Sequence, residues 1–159
     1  MSKESFLSQF SLDHAGDMQA MMNRLKILAE KVYGKETVEI ITDNRTLTYE
    51  DTEKTFLIGT DAKVVTLPAT KAGIKYTFIN SGANGNNIIA VSPAAADGIS
   101  GTVTLASSVV AIAGVVNKDV LNTKSSAIKG DSLTIVGTGV TGTTAWIIVA
   151  STGIWAAEG

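Results

Sequence analysis

Two hydrophobic periods divide the chain. Between Asp13 and Tyr33 apolar side chains recur at alternating steps of three and four, at Met18, Met21, Leu25, Leu28 and Val32. That spacing lays one stripe along a helix and predicts a helix over 13–33, just over two heptads of an a/d seam. Asp13 is placed to cap the free N–H groups of the first turn, and Asp17 lies where the helix dipole favours an acid. Gly34 suits the left-handed residue that follows a helix, with Lys31 in the last turn. Twenty-one residues at a rise of ~1.5 Å give a rod of roughly 30 Å. Gly16 weakens it, and no Pro interrupts it. The stripe has two readings, a face packed on the protein's own body or a seam between subunits. The strict three-four spacing favours the seam, while Ile27 and Ala29 widen the apolar face and favour packing.

From Thr37 onward the period is two, as on a strand with one buried face. Strands are expected at 37–42, 46–49, 55–58, 63–67, 75–80, 87–92, 102–105, 109–113, 115–120, 132–136, 145–150 and 153–156. Turn signals separate them, among them Asp43-Asn44, Gly82 to Gly85, Asp97-Gly98, Gly130-Asp131 and Gly137 to Gly142. The two prolines, Pro68 and Pro93, fall at strand ends, where a missing N–H does little harm. Many short strands at near-regular spacing predict a mainly β fold, an antiparallel sandwich or barrel of jelly-roll type, preceded by one helix. The expected division is an apolar arm over 1–12, a helix over 13–34 and a β domain over 37–159. A length of 159 residues is enough for one such domain with its own core.

Charge changes this picture. Residues 1–75 hold ten basic and eleven acidic groups, and residues 76–159 hold three and four. A surface with so few charges is poorly protected against association, so much of the second half is expected to be covered by neighbouring subunits. A net charge of −2 opposes a general nucleic-acid binder. The absence of Cys removes thiol chemistry, disulfides and thiolate zinc sites, and a single His14 removes multi-His metal sites. No apolar run reaches membrane-spanning length, and the first residues lack the apolar block of a leader. No cofactor, no metal and no enzyme activity are expected.

Several local features invite chemistry and have a plainer reading beside it. Gly137-Thr-Gly139-Val-Thr-Gly142 matches the dinucleotide-binding glycine pattern, but a strand follows it where a phosphate-binding loop needs a helix. It reads as a turn between strands. Glu50, Asp51, Glu53 and Asp61 could bind calcium or work as an acid/base pair. With Lys54 and Lys63 among them and no calcium-loop spacing, they read as a solvated loop. Asn44-Arg45-Thr46 fits the glycosylation triplet, but with no secretion signal it carries no weight. Trp146 and Trp155 are expected to flank a final hairpin, with Trp146, Ile148 and Ala150 on one face as core, or else as a sugar platform. Phe6, Leu7, Phe10 and Leu12 put four large apolar groups in a terminal arm, which either folds back or docks on another protein.

The order of several blocks resembles β-rich virion proteins of tailed bacteriophages. The blocks are Leu47-Thr-Tyr49, Val64-Val-Thr-Leu-Pro-Ala69, Gly73-Ile-Lys-Tyr-Thr-Phe-Ile79 and Ile88-Ile-Ala-Val91. They continue with Gly98-Ile-Ser-Gly101, Ala127-Ile-Lys-Gly-Asp-Ser-Leu133, Trp146-Ile-Ile-Val149 and Gly153-Ile-Trp155. The resemblance spans about residues 46–156 and leaves the helix outside as a variable attachment element. It implies a structural protein of the head, a decoration or cement protein or a head fibre, commonly a homotrimer and without catalytic residues. The implied partners are the major capsid protein and further copies of the chain. The implied location is the outer capsid surface, after synthesis in the bacterial host cytoplasm. Phe6, Leu7, Phe10 and Leu12 would meet the capsid; Met18, Met21, Leu25, Leu28 and Val32 would be a second contact or the trimer seam. A receptor-binding module is the alternative, with Tyr76 or Trp155 offered to a carbohydrate.

Overall fold

The computed structural model describes residues 15–33, 37–105 and 108–159, and the chain divides into two units, Met1–Glu36 and Thr37–Gly159. The arm residues Phe6, Leu7, Phe10 and Leu12, the expected cap Asp13, His14 and Gly34 lie outside the described residues. In the first unit helix α1 runs over Ala15–Tyr33 with Asp17 in its first turn. Of the predicted stripe, Met18, Met21 and Leu25 are about half exposed, as are Met22 and Ile27. The side chains of Leu28 and Val32 lie outside the described residues.

The described residues of the second unit form twelve strands. They are β1 (Val38–Ile41), β2 (Arg45–Thr46), β3 (Thr55–Ile58), β4 (Lys63–Thr66), β5 (Lys75–Asn80) and β6 (Ile89–Ser92), then β7 (Asp97–Leu105), β8 (Ser108–Ala113), β9 (Val120–Asn122), β10 (Ser132–Gly137), β11 (Gly142–Thr152) and β12 (Trp155–Ala157). They form a seven-stranded sheet in the order β1-β3-β5-β10-β11-β7-β8 and a five-stranded sheet in the order β12-β9-β6-β4-β2. The fold is thus a β sandwich.

The sheets are mixed, and this corrects the expectation of a wholly antiparallel, jelly-roll-like body. From β1 to β6 the chain alternates between the sheets, so each sheet receives every second strand. Strands β1, β3 and β5 are therefore parallel, and so are β2, β4 and β6. Parallel neighbours need a return crossing, which elsewhere is usually a helix; here the strand of the opposite sheet is that return. Strand β7 also runs parallel to β11. The antiparallel pairs are β5/β10, β10/β11, β7/β8, β6/β9 and β9/β12.

Three finer expectations are corrected as well. Residues 115–119 are a loop, turned by Asn117 at φ 58°, and the strand begins at Val120. Asn tolerates that left-handed conformation where a Val cannot. Strand β12 pairs with β9 in the other sheet, so the two tryptophans do not flank a hairpin. A bulge between Thr134 and Ile135 sets Ile148 opposite Ile135 but Ala150 opposite Thr134. Trp146 and Ile148 consequently point inward, while Ala150 is exposed.

The core lies between the sheets and follows the period-two pattern. In β5 the inward residues are Tyr76, Phe78 and Asn80, and in β10 Leu133, Ile135 and Gly137. Phe56 stacks on Phe78 at 5.8 Å between ring centroids, and Tyr76 meets Trp146 at 5.6 Å. Each such buried side chain contributes about 1.5–3 kcal/mol by leaving water.

One end of the sandwich is closed by a buried polar clamp. Asn80 of β5 donates to Asn122 of β9 at 2.8 Å, which joins the two sheets. Asn122 donates in turn to the Asp131 carboxylate at 2.8 Å and to the Ile154 carbonyl at 3.0 Å. Asn87 donates to Asn80 and to the Ile58 carbonyl, each at 2.9 Å. The 153 position must be glycine, because its φ is 77° and a Cβ would run into the Asp131 carboxylate. Replacing Asn122 by Ala leaves the buried Asn80 side-chain N–H and the Ile154 carbonyl without these partners and takes one of the two donors from the buried Asp131 carboxylate. Asn122→Ala is expected to lower the unfolding free energy by about 3 kcal/mol. Urea denaturation followed by tryptophan fluorescence measures it, and a loss within error of zero refutes the clamp.

Candidate interaction surface

The four acidic residues singled out in the sequence do not converge. Asp51 ends a 3₁₀ turn, Tyr49–Asp51, and is 4% exposed. Its carboxylate accepts from the Thr48 N–H at 2.9 Å and the Thr48 hydroxyl at 3.1 Å, and pairs with Lys54 at 2.9 Å. Glu39 of β1 pairs with the same Lys54 at 3.0 Å and with Arg45 of β2 at 3.3 Å. Strands β1 and β2 are edges of different sheets, so this network closes the open side of the sandwich between them. Glu53 pairs with Lys75 at 2.7 Å. Asp61 pairs with Lys124 and accepts the Ile88 N–H at 3.0 Å. Glu50 is exposed. Among the described residues no cluster of three His, Cys, Asp or Glu is arranged to hold a metal ion.

The other candidates also resolve into structure. The 137–142 segment turns from β10 into β11, with no helix after it. Its glycines let it lie on the 70–72 segment: a Cβ at Gly139 would stand 2.9 Å from the Ala72 nitrogen, and the Gly139 N–H donates to Thr70 at 3.1 Å. Asn44 accepts the Val64 N–H at 3.0 Å and so ties one loop to β4. Tyr76, Trp146 and Trp155 are all fully buried, so none offers a platform to a sugar. The Tyr76 hydroxyl donates to the Thr48 carbonyl at 2.7 Å. A pocket beside Ile99, Ile112, Lys118 and Glu158 holds about 40 Å³, room for little more than a water molecule.

The feature that sequence reasoning reached only as a charge count is a surface. Residues directly opposite across a sheet share a face, so the registers trace rows over the outside of the seven-stranded sheet. One row runs Val38, Thr55, Thr77, Thr134, Ala150. The next runs Ile40, Leu57, Ile79, Ser132, Thr152. A third runs Lys75, Val136, Ile147, Ser100, Ala113. Beyond it come the pairs Thr102–Ala111 and Thr104–Val109. Lys75 is the one charged side chain in these rows, and Glu53 neutralises it. Hydroxyls on the face bond to one another, Thr77 with Thr134 at 3.0 Å and Ser132 with Thr152 at 2.9 Å. Ile40 is 71% exposed, Val109 67% and Val149 54%. A sheet face turned to water is ordinarily polar; this one combines Thr and Ser with exposed apolar side chains and a single charge.

Comparison with known proteins gives no match: no family model, no curated protein and no solved structure matches the chain.

Two outcomes follow from the geometry. Burial works against a charged Asp51, but the Thr48 N–H, Lys54 and the Thr48 hydroxyl outweigh it and hold its carboxyl below the ordinary 3.8. A lowered acid stabilises the fold fully above 3.8, and that contribution fades as pH falls through the lowered value. Thermal midpoints are expected to fall from about pH 5 downward, and Asp51→Asn to be less stable at pH 7 with a flatter acid limb. An Asp51→Asn protein that keeps the wild-type acid slope contradicts this account. On the alkaline side the carboxylates of Asp51 and Glu39 raise Lys54, and burial raises the Tyr76 hydroxyl. Both contributions are present below the ordinary values of 10.5 and 10.0 and are lost above them. The outer face predicts the opposite behaviour: Ile40→Lys and Val149→Lys change the unfolding free energy by less than about 0.5 kcal/mol, read by urea titration.

Proposed function

We propose that this chain is a structural protein of a tailed-phage virion, a decoration or cement protein that binds the outside of the major capsid protein lattice and stabilises the head. The observation that carries the reading is the outer face of the seven-stranded sheet, three rows of Thr, Ser and apolar side chains around a single neutralised Lys75. The order of the sequence blocks and the arm Phe6, Leu7, Phe10 and Leu12 point the same way. The action is physical. A protein that binds only the assembled shell stabilises it by mass action. Contacts that are individually weak become strong when one particle touches several capsid subunits at once.

In this reading the arm meets the capsid. Met18, Met21, Leu25, Leu28 and Val32 of the helical segment join it or hold three copies together. The protein would be made in the bacterial cytoplasm and reside on the outer capsid surface. The fibre or receptor-binding alternative loses Tyr76 and Trp155 as carbohydrate contacts, since both are buried.

Co-sedimentation with expanded heads of the cognate phage tests the proposal. Wild-type protein is expected to pellet with the heads and to raise their rupture temperature. The doubly substituted Ile40→Lys/Val149→Lys protein, folded but charged on the sheet face, is expected to bind at least about tenfold more weakly. Wild-type protein that stays in the supernatant at saturating heads would sink the proposal.

A further inference from the structure

Four strands form the open edges of the two sheets: β1 and β8 in the larger, β12 and β2 in the smaller. An edge presents unpaired N–H and C=O groups, and soluble proteins defend such edges with shortness, charge, Pro or a bulge. Three of the four are defended. Strand β2 is two residues long, and β12 is three and runs into Glu158. Strand β1 is four residues long and carries Glu39, held by Arg45 and Lys54.

Strand β8 has none of these defences. It is six residues long, Ser-Val-Val-Ala-Ile-Ala. No charge and no Pro occurs anywhere from Gly98 to Asn117. Its register with β7 runs from Ser108 to Ala113 without a shift, so the groups on its far side form an unbroken row. Val109 and Val110 are exposed, and the exposed Val115 and Val116 extend the apolar edge. What satisfies such a row in kind is another strand.

We propose that β8 is a self-association strand: two copies of this chain pair β8 to β8, antiparallel, joining their seven-stranded sheets into one. Charge identifies the occupant. In a two-fold pair each strand meets itself, so any charge near the axis faces its like. β8 carries none. The same lack of charge leaves it no pattern with which to select a foreign strand. A two-fold axis normal to the sheet at Val110 keeps inward and outward residues on their own faces. It sets Val110 against Val110 and Val109 against Ala111 of the second copy. The pairing does not depend on capsid binding.

Sedimentation velocity of the full chain over a concentration series, without capsids, tests it. The wild type is expected to reach an even-numbered particle, a dimer, or a hexamer where a trimer forms through another surface. Val109→Lys/Ala111→Lys places Lys opposite Lys and is expected to weaken the pairing roughly tenfold or more. An equal mixture with Val109→Glu/Ala111→Glu is expected to restore it, which a merely misfolded variant cannot do. Ile40→Lys, on the opposite edge strand, is expected to leave the mass unchanged. Amide hydrogen exchange of the wild type gives a second measure: protection over 109–112 rises with protein concentration. A wild type that stays monomeric or odd-numbered overturns the proposal. So does a Lys variant that associates like the wild type, a mixture that fails to recover, or protection indifferent to concentration.

Discussion

The sandwich depends on keeping two sheets in register while the chain steps back and forth between them. Every crossing from β1 to β6 passes an end or side of the core, where backbone groups leave their ladders and must find other partners. Asn122 answers this at one end, because one side chain bonds a neighbour in the opposite sheet, a carboxylate and a main-chain carbonyl. At the opposite end the Asp97 carboxylate accepts the Thr70 N–H at 2.8 Å, and the Thr70 hydroxyl donates to the Ala145 carbonyl at 2.6 Å. Glu39, Arg45, Asp51 and Lys54 close the side between β1 and β2. Hydrophobic burial supplies the bulk of the stabilisation, but it is non-directional. These polar contacts are what fix one sheet against the other.

That use of polar groups sharpens the meaning of the charge distribution. Of the four acids after Tyr76, Asp97 and Asp131 are buried inside the fold's own contacts. The remaining charges of that half are also engaged in part: Lys118 lies 3.9 Å from Glu158, and Lys124 pairs with Asp61. The outer rows of the larger sheet are left with Lys75 alone. The deficit of charge is therefore steeper at the surface than in the composition.

Much of the architecture was legible because the period-two pattern is a direct record of burial. The strands at 55–58, 75–80 and 132–137 match their expected spans within a residue, since Phe56, Ile58, Tyr76, Phe78, Leu133 and Ile135 alternate cleanly with outward residues. Direction was not legible. Alternation reports which face is buried and is silent on which strand lies alongside, so parallel β1, β3 and β5 look the same as antiparallel neighbours. The failure at 115–119 is of a different kind. Val115-Val116 has strand propensity, yet Asn117 donates its N–H to the Asp97 carbonyl and turns the chain, an instance of tertiary context overriding propensity. The acidic patch was misleading because spacing cannot show that Asp51, Glu53 and Asp61 each have a separate basic partner. The sheet face itself was invisible as a site: it needs seven strands drawn from between residues 38 and 152 laid side by side.

A face and an edge make different demands on a partner, and this chain leaves both uncharged. The face can be covered only by a surface of matching shape, and its hydroxyl pairs lower the cost of desolvation by bonding to each other before any partner arrives. The edge needs only main chain, so its requirement is geometric and permissive. A permissive edge beside a weakly polar face would be a hazard in a protein that works alone, because β pairing of that kind has no inherent stopping point. A two-fold pair at β8 provides one: it consumes the undefended edge of each copy, and the edges that remain, β1, β2 and β12, are those that are short, charged or bound in ion pairs. Association that ends in a closed particle with its outer faces contiguous is a physically consistent use of a surface so poor in charge.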